Sequence, residues 1–270
     1  MSSEQNAARQ HAEFEALLAY REAQEVAMDA APEAPAPARM FAFGAAAATR
    51  GISRRATDLI VAYETGGKDY YERHFRSRPV WPKASSGITI GCGYDLGYVS
   101  PRAFEADWAE LLRTLTAAQR AALTSCIGFH SGKHSEAQMR ALLAKVQEMK
   151  VPWETALSVF SQRTLPLYIF KTAAALPNTE KLSDDSFGAL VSLTFNRGAS
   201  YSRARNWAKD RLDRYREMRA IKSLMAQEKF AGIPDQIRAM VRIWTGTAIE
   251  LGMRRRRMDE AKLFADGLTV

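Results

Sequence analysis

The chain has 270 residues, of which 47% are hydrophobic and 25% charged, enough apolar content to bury one large core or two modest ones. Its net charge of +8 and pI of about 9.6 favour anionic partners, but charge alone does not choose among nucleic acid, anionic lipid and bacterial cell wall. Two cysteines without a CxxC spacing argue against a disulfide-stapled scaffold, and no apolar run approaches the ~18 residues of a membrane span. The polar N-terminus does not read as a secretory signal. The first 50 residues hold four Arg against seven Asp and Glu, so the basicity belongs to the remainder, which carries a net +11.

In chain order, residues 4–28 are rich in Ala, Glu, Gln and Arg and predict a helix. Residues 30–49 mix Ala and Pro and predict an extended linker, with Met40, Phe41 and Phe43 suited to docking on the domain that follows. A domain boundary is expected near residue 50. Residues 53–64 read as a helix capped by Ser53 or Thr57 and stopped by Gly66-Gly67. Residues 68–98, dense in aromatics, β-branched residues and glycine, predict a small irregular sheet or hairpin. Ser100-Pro101 fits the cap and first position of a new helix. Helices are then expected at 101–114, 116–127, 135–148, 152–173, 183–195, 202–226, 233–244 and 247–265. The expected class is α+β: residues 1–50 as an N-terminal segment, then a domain over 51–270 with a β lobe at about 66–99 and a helical lobe at about 100–268.

Within that frame, Glu64 at a helix end precedes the strand Gly87-Ile-Thr-Ile-Gly-Cys-Gly-Tyr-Asp95 by some twenty residues. A carboxylate at a helix end, facing a glycine-rich strand with a hydroxyl and a second carboxylate, supplies the groups that cut a glycosidic bond. Glu64 follows Ile60, Val61 and Tyr63, whose apolar surroundings suit a general acid, because burial penalises the charged form. Asp95 suits the group that stays ionised, and Thr89 suits the hydroxyl that holds an attacking water. That arrangement predicts inversion, for which the two carboxyls stand roughly 6.5–9.5 Å apart. Gly87, Gly91 and Gly93 leave little bulk on alternate positions, where a polysaccharide could lie against the backbone.

Each of these residues also has a plain structural reading. Taken alone, Glu64 reads as a surface charge, and the strand as a buried strand with a bulge. Tyr70, Tyr71, Phe75 and Trp81 could stack on sugars or form the small core of the β lobe. Asn196 is a helix C-cap with Gly198, or an amide that bonds a sugar acetamido group. His130 and His134, four apart, have helical zinc spacing, but Gly132 interrupts them and no HExxH is present, so no metal or cofactor is expected. Cys92 as a catalytic thiol would need His74 as its base. Arg254 to Arg257 spread around a helix, some facing water and some pairing with Glu250, Asp259 or Glu260.

These features together resemble the phage T4-type lysozymes. The resemblance rests on Glu64 followed by a G-[IVY]-T-[IL]-G-x-G strand, on Ala189-Leu-Val-Ser-Leu-Thr-Phe195-Asn196-Arg197-Gly198, and on Ile243-Trp244 followed by Gly252-Met-Arg-Arg-Arg-Arg257 and Glu260. These matches, in order, cover roughly residues 53–268. Phage lysozymes of this type usually place an Asp between the Glu and the Thr. Here Arg73 takes that position, Lys83 lies six residues before Thr89, and Asp95 lies six residues after it. That order is similar to the pesticin-like branch of lysozyme-like toxins. The resemblance implies Glu64, Thr89 and Asp95 as catalytic residues; Tyr71, Gly91, Gly93, Asn196 and Arg197 are candidate substrate-binding residues from their types and positions. It implies a muramidase acting on peptidoglycan without a cofactor, reaching the periplasm or wall through a holin or a secretion component. In the toxin-like case a dedicated inhibitor is expected. Two alternatives stand beside it: a non-catalytic cell-wall-binding module on the same fold, and a basic nucleic-acid binder, for which no recognised motif is present.

Overall fold

The computed structural model describes residues 50–83, 86–206, 208, 210–247 and 249–269. The helix expected at 4–28, the linker at 30–49 and the docking of Met40, Phe41 and Phe43 lie outside the described residues. The described chain is mostly helical with a two-stranded antiparallel sheet, which is an α+β architecture. It divides into two compact units: one formed by residues 50–63 and 166–269, the other by residues 64–165. Both strands of the sheet belong to the second of these units. The sheet is too small to hold a core of its own, and residues 101–165 complete the unit to which it belongs.

In the unit 64–165, Gly66 (φ 70) and Gly67 (φ 85) end the helix Arg54–Thr65, as the Gly-Gly signal predicts. The short helix Lys68–Arg73 follows, in a stretch expected to be sheet. Asp69 in its first turn and Arg73 in its last complement the helix dipole, while Tyr70 and Tyr71 turn inward. The hairpin consists of β1 (Thr89–Ile90) and β2 (Tyr94–Asp95), with Thr89 opposite Asp95 and Ile90 opposite Tyr94. Val80 pairs with the outer edge of β1. A helix expected over 101–114 is broken into Pro101–Asp107 and Ala109–Thr114 at Trp108, whose φ of −108° and ψ of 19° leave the helical region. Trp108 is 1% exposed and meets Tyr94 edge-on at 5.4 Å, so packing against the hairpin decides a break that no Pro or Gly announces. The long helix expected at 152–173 is Trp153–Val159, a π-helical turn at Phe160–Thr164, and Leu165–Ala175. Pro166 lacks the N–H that would continue the regular pattern, and the wider turn accommodates it.

The other unit is built on the helix Asp184–Arg197, capped by Ser183 and buried along nearly its whole length. It packs extensively on the closing helix Glu250–Asp266, which also packs on Ile233–Ala239. Gly188 lets the helix Arg54–Thr65 approach closely: a Cβ there would lie 2.2 Å from the Ala56 Cβ. The helix expected at 202–226 forms only over Arg216–Ala226. Arginine side chains take up backbone carbonyls of the preceding turns: Arg197 Nη2 donates to Arg214 O at 2.8 Å, Arg219 Nη1 to Arg203 O at 2.9 Å and Arg242 Nη2 to Asp213 O at 2.7 Å. Those carbonyls are satisfied without helix formation.

Candidate functional site

Glu64, Thr89 and Asp95 all belong to the unit 64–165. Glu64 is half-buried one residue before the end of its helix. Its charge reaches the hairpin tip. The Cys92 thiol is pushed up to about 12, chiefly by burial and then by the Glu64 carboxylate. Tip and helix end are thus within electrostatic reach of each other.

Thr89 and Asp95 are cross-strand partners. Val80 and Thr89 exchange both backbone hydrogen bonds on the outer side of β1, and Leu96 N donates to Ile88 O at 2.9 Å on the inner side. Thr89 and Asp95 therefore form the narrow, non-hydrogen-bonded type of pair, whose side chains share one face. Thr89 is 2% exposed, and its Oγ1 is buried without a hydrogen-bond partner.

Asp95 is held from two directions. Oδ1 accepts from Gly97 N at 2.7 Å, capping the 3-10 turn Leu96–Tyr98, and both oxygens lie 3.1 Å from Gly87 N. Hydrogen bonds to an ionised acceptor are among the stronger ones, so this carboxylate is fixed in place. The Asp95-Leu-Gly97 spacing is a cap signal legible in the sequence.

The stretch Gly87–Asp95, expected as one strand, is a hairpin with both strands free of glycine, and its glycines serve the protein's own packing. A Cβ on Gly87 would lie 2.6 Å from Asp95 Oδ1, Gly97 N and Phe129 O, and one on Gly91 would lie 2.7 Å from Trp108 Cη2. Gly91 (φ 57) and Gly93 (φ 76) bracket the turn around Cys92 in the left-handed region. Tyr71 is a core residue here: it is 1% exposed, its hydroxyl donates to Val151 O at 2.9 Å, and its ring lies 5.4 Å from that of Trp153. Tyr70 stacks on His74 at 4.0 Å, and Trp81 Nε1 donates to Ser131 Oγ at 3.0 Å.

Asn196 and Arg197 belong to the other unit. Asn196 Oδ1 accepts from Arg257 Nη2 at 3.0 Å. The Arg197 guanidinium lies between the rings of Tyr215 and Trp244, at 5.2 and 5.5 Å. The four-arginine run does not form an exposed stripe. Arg254 pairs with Glu250 at 2.7 Å, whereas Arg256 and Arg257 are buried around Glu260 at 3.1 and 2.9 Å. Ser192 Oγ adds a 2.7 Å hydrogen bond to Glu260.

His130 and His134 make local contacts. His134 Nδ1 lies 3.2 Å from His130 O, and the His130 ring stacks on Tyr98 at 4.6 Å. Among the described residues, no three His, Cys, Asp or Glu side chains gather as a metal site. Also among the described residues, no helix is long and apolar enough to cross a membrane.

Residues 60–164 match a domain family of unknown function, DUF8812. The match covers less than half of the chain and nearly coincides with the unit that carries Glu64, Thr89 and Asp95. No curated protein and no solved structure matches the chain.

Proposed function

We propose that the chain is a lysozyme-like muramidase of the pesticin-like type, hydrolysing the β-1,4 bond between N-acetylmuramic acid and N-acetylglucosamine in peptidoglycan. The observation that carries this reading is a half-buried Glu64 in electrostatic reach of a hairpin on which Thr89 and a fixed Asp95 share one face. In this reading Glu64 protonates the leaving glycosidic oxygen, the Thr89 hydroxyl holds water, and Asp95 orients that water or stabilises the positive charge on the sugar. The buried, unpartnered Thr89 Oγ1 supports the water-holding role, since such a group needs an acceptor or donor to offset its desolvation. The +11 carried beyond residue 50 would concentrate the protein on anionic wall polymers. Action in the periplasm or on the wall, delivery by a holin or a secretion component, and a cognate inhibitor belong to the same proposal.

A second reading, glycan binding without hydrolysis, is favoured by the capping work that already occupies Asp95. Purified sacculi separate the two. Hydrolysis predicts release of muropeptides by the wild type and none by Glu64→Gln with the fold intact. Tight sacculus binding by the wild type with no new reducing ends would select the binding module. Full turnover by Glu64→Gln would sink the enzymatic reading.

A further inference from the structure

Tyr98 is the most exposed aromatic residue of the unit 64–165, at 53%, yet it is ordered by its surroundings. Leu96 and Gly97, which precede it in the 3-10 turn, are buried, and the turn is capped by Asp95. Behind it the His130 ring is stacked at 4.6 Å and 25°, with the Tyr98 hydroxyl 3.3 Å from His130 Nδ1. His130 is itself pinned: its backbone pairs with Gly87, and its Cβ would lie 2.9 Å from a Cβ on Gly97. Gly128 N donates to Leu96 O at 3.0 Å, tying the same two segments again. Gly87 and Gly97 are the two residues whose amides hold the Asp95 carboxylate. Tyr98 and the Asp95 carboxylate, three residues apart in the chain, therefore share one backbone frame with His130.

We propose that Tyr98, backed by His130, is a saccharide-stacking platform beside Asp95, taking the apolar face of a neutral pyranose such as an N-acetylglucosamine unit. The inference rests on the glycan-directed reading above and adds a binding residue to it. Binding sites commonly combine aromatic surface with a few fixed polar groups, and a tyrosine ordered by stacking loses little further freedom on meeting a ligand. The neighbouring carboxylate sets the class of ligand. A phosphate backbone would be repelled by Asp95, whereas sugar hydroxyls can donate to it.

The test uses the full chain carrying Glu64→Gln, so that no substrate is consumed, titrated with the β-1,4 tetramer of N-acetylglucosamine in a calorimeter. Adding Tyr98→Ala should weaken binding about tenfold, the size of one good aromatic contact. Tyr98→Phe should recover most of that loss, and His130→Ala should show a smaller one. Melting curves of the variants report whether the fold is kept; the exposed position of Tyr98 leads us to expect it is. Equal affinity with and without the Tyr98 ring overturns the platform, as does absence of tetramer binding by the parent or displacement of the tetramer by single-stranded nucleic acid. Wild-type chain that releases no muropeptides, beside a Tyr98-dependent affinity, would remove the hydrolytic reading and leave the platform. Normal turnover of sacculi with a Tyr98-independent affinity would do the reverse.

Discussion

Thr89 and Asp95 face each other across the hairpin, but only one of them is satisfied: Asp95 accepts from two backbone amides, while Thr89 Oγ1 is buried with no partner. A cross-strand pair with one fixed acceptor and one unmet hydroxyl lends itself to separating stability from function.

Thr89→Val removes a hydroxyl that has no hydrogen-bond partner within the protein and replaces it with a methyl of similar shape. The fold should lose nothing and gain up to about 1 kcal/mol, since an unmet buried polar group is costly. Turnover of sacculi should fall at least tenfold if the hydroxyl holds the water. Thermal unfolding and muropeptide release measured on one preparation check both halves. A Val variant as active as the parent would remove Thr89 from the mechanism.

Asp95→Ala strips the acceptor from Gly87 N and Gly97 N and should cost about 0.5–2 kcal/mol, the usual range for a lost cap. Asp95→Asn keeps a side-chain oxygen for Gly97 N and should cost less. Both variants should lose activity, because Asn cannot carry the charge. Urea unfolding beside sacculus turnover decides, and wild-type turnover in the Asn variant would assign Asp95 to structure alone.

Gly188→Ala should destabilise the unit formed by residues 50–63 and 166–269 by about 1–3 kcal/mol. Helix propensity favours Ala over Gly by up to about 1 kcal/mol. Here, however, the added methyl would lie 2.2 Å from the Ala56 Cβ, and a Cβ cannot rotate away. A higher melting temperature in this variant would contradict the close approach of the two helices.

Glu260→Gln leaves Arg256 and Arg257 buried without the carboxylate between them. Breaking a buried pair from one side typically costs about 3–5 kcal/mol, more than any exposed ion pair on this surface could. Glu250→Gln, at the Arg254 pair on the surface, should leave stability nearly unchanged. Matched denaturation curves for the two variants test the contrast.

Stability should fall as pH rises above about 9. Burial pushes the Cys126 thiol up to about 11, and burial with the Glu64 charge pushes Cys92 up to about 12, from an ordinary value of 9.0. Below pH 9 both thiols are protonated in the folded and unfolded chain alike. Between 9 and about 12 the unfolded chain releases these protons first, which favours unfolding. Tyr71, raised by burial, adds a change of the same sign. The urea midpoint should drop more steeply between pH 8.5 and 10.5 in the wild type than in Cys92→Ala, and parallel slopes would count against the burial of Cys92.

Much of the local structure was legible in the sequence, where a local signal is also the local cause. Gly66-Gly67 ends a helix because left-handed backbone suits glycine, and Ser100-Pro101 starts one because a hydroxyl accepts and a proline needs no acceptor for its nitrogen. The helices Glu136–Val146 and Asp184–Arg197 carry their caps in Ser135 and Ser183. The pairing of hydroxyl and carboxylate was not legible: residues 87–95 read as one strand, and the turn at Gly91–Gly93 sets Thr89 opposite Asp95. Aromatic density at 68–98 misled because Tyr70 and Tyr71 bury from a helix as readily as from a strand.

The sequence by itself determined the α+β class, the helix end at Gly66-Gly67 and the helix start at Ser100-Pro101, and it offered Glu64, Thr89 and Asp95 as candidates. The helix signals rest on interactions between residues close in the chain, whose geometry spacing fixes. The tertiary structure alone decided the break at Trp108, the irregular turns before Arg216 and the burial of Tyr71, Arg256 and Arg257. It also decided the joint grip of Gly87 and His130 behind Asp95 and Tyr98. Each of these depends on a partner more than a dozen residues away, and burial or a distant guanidinium overrides a helical preference worth about 0.5 kcal/mol per residue.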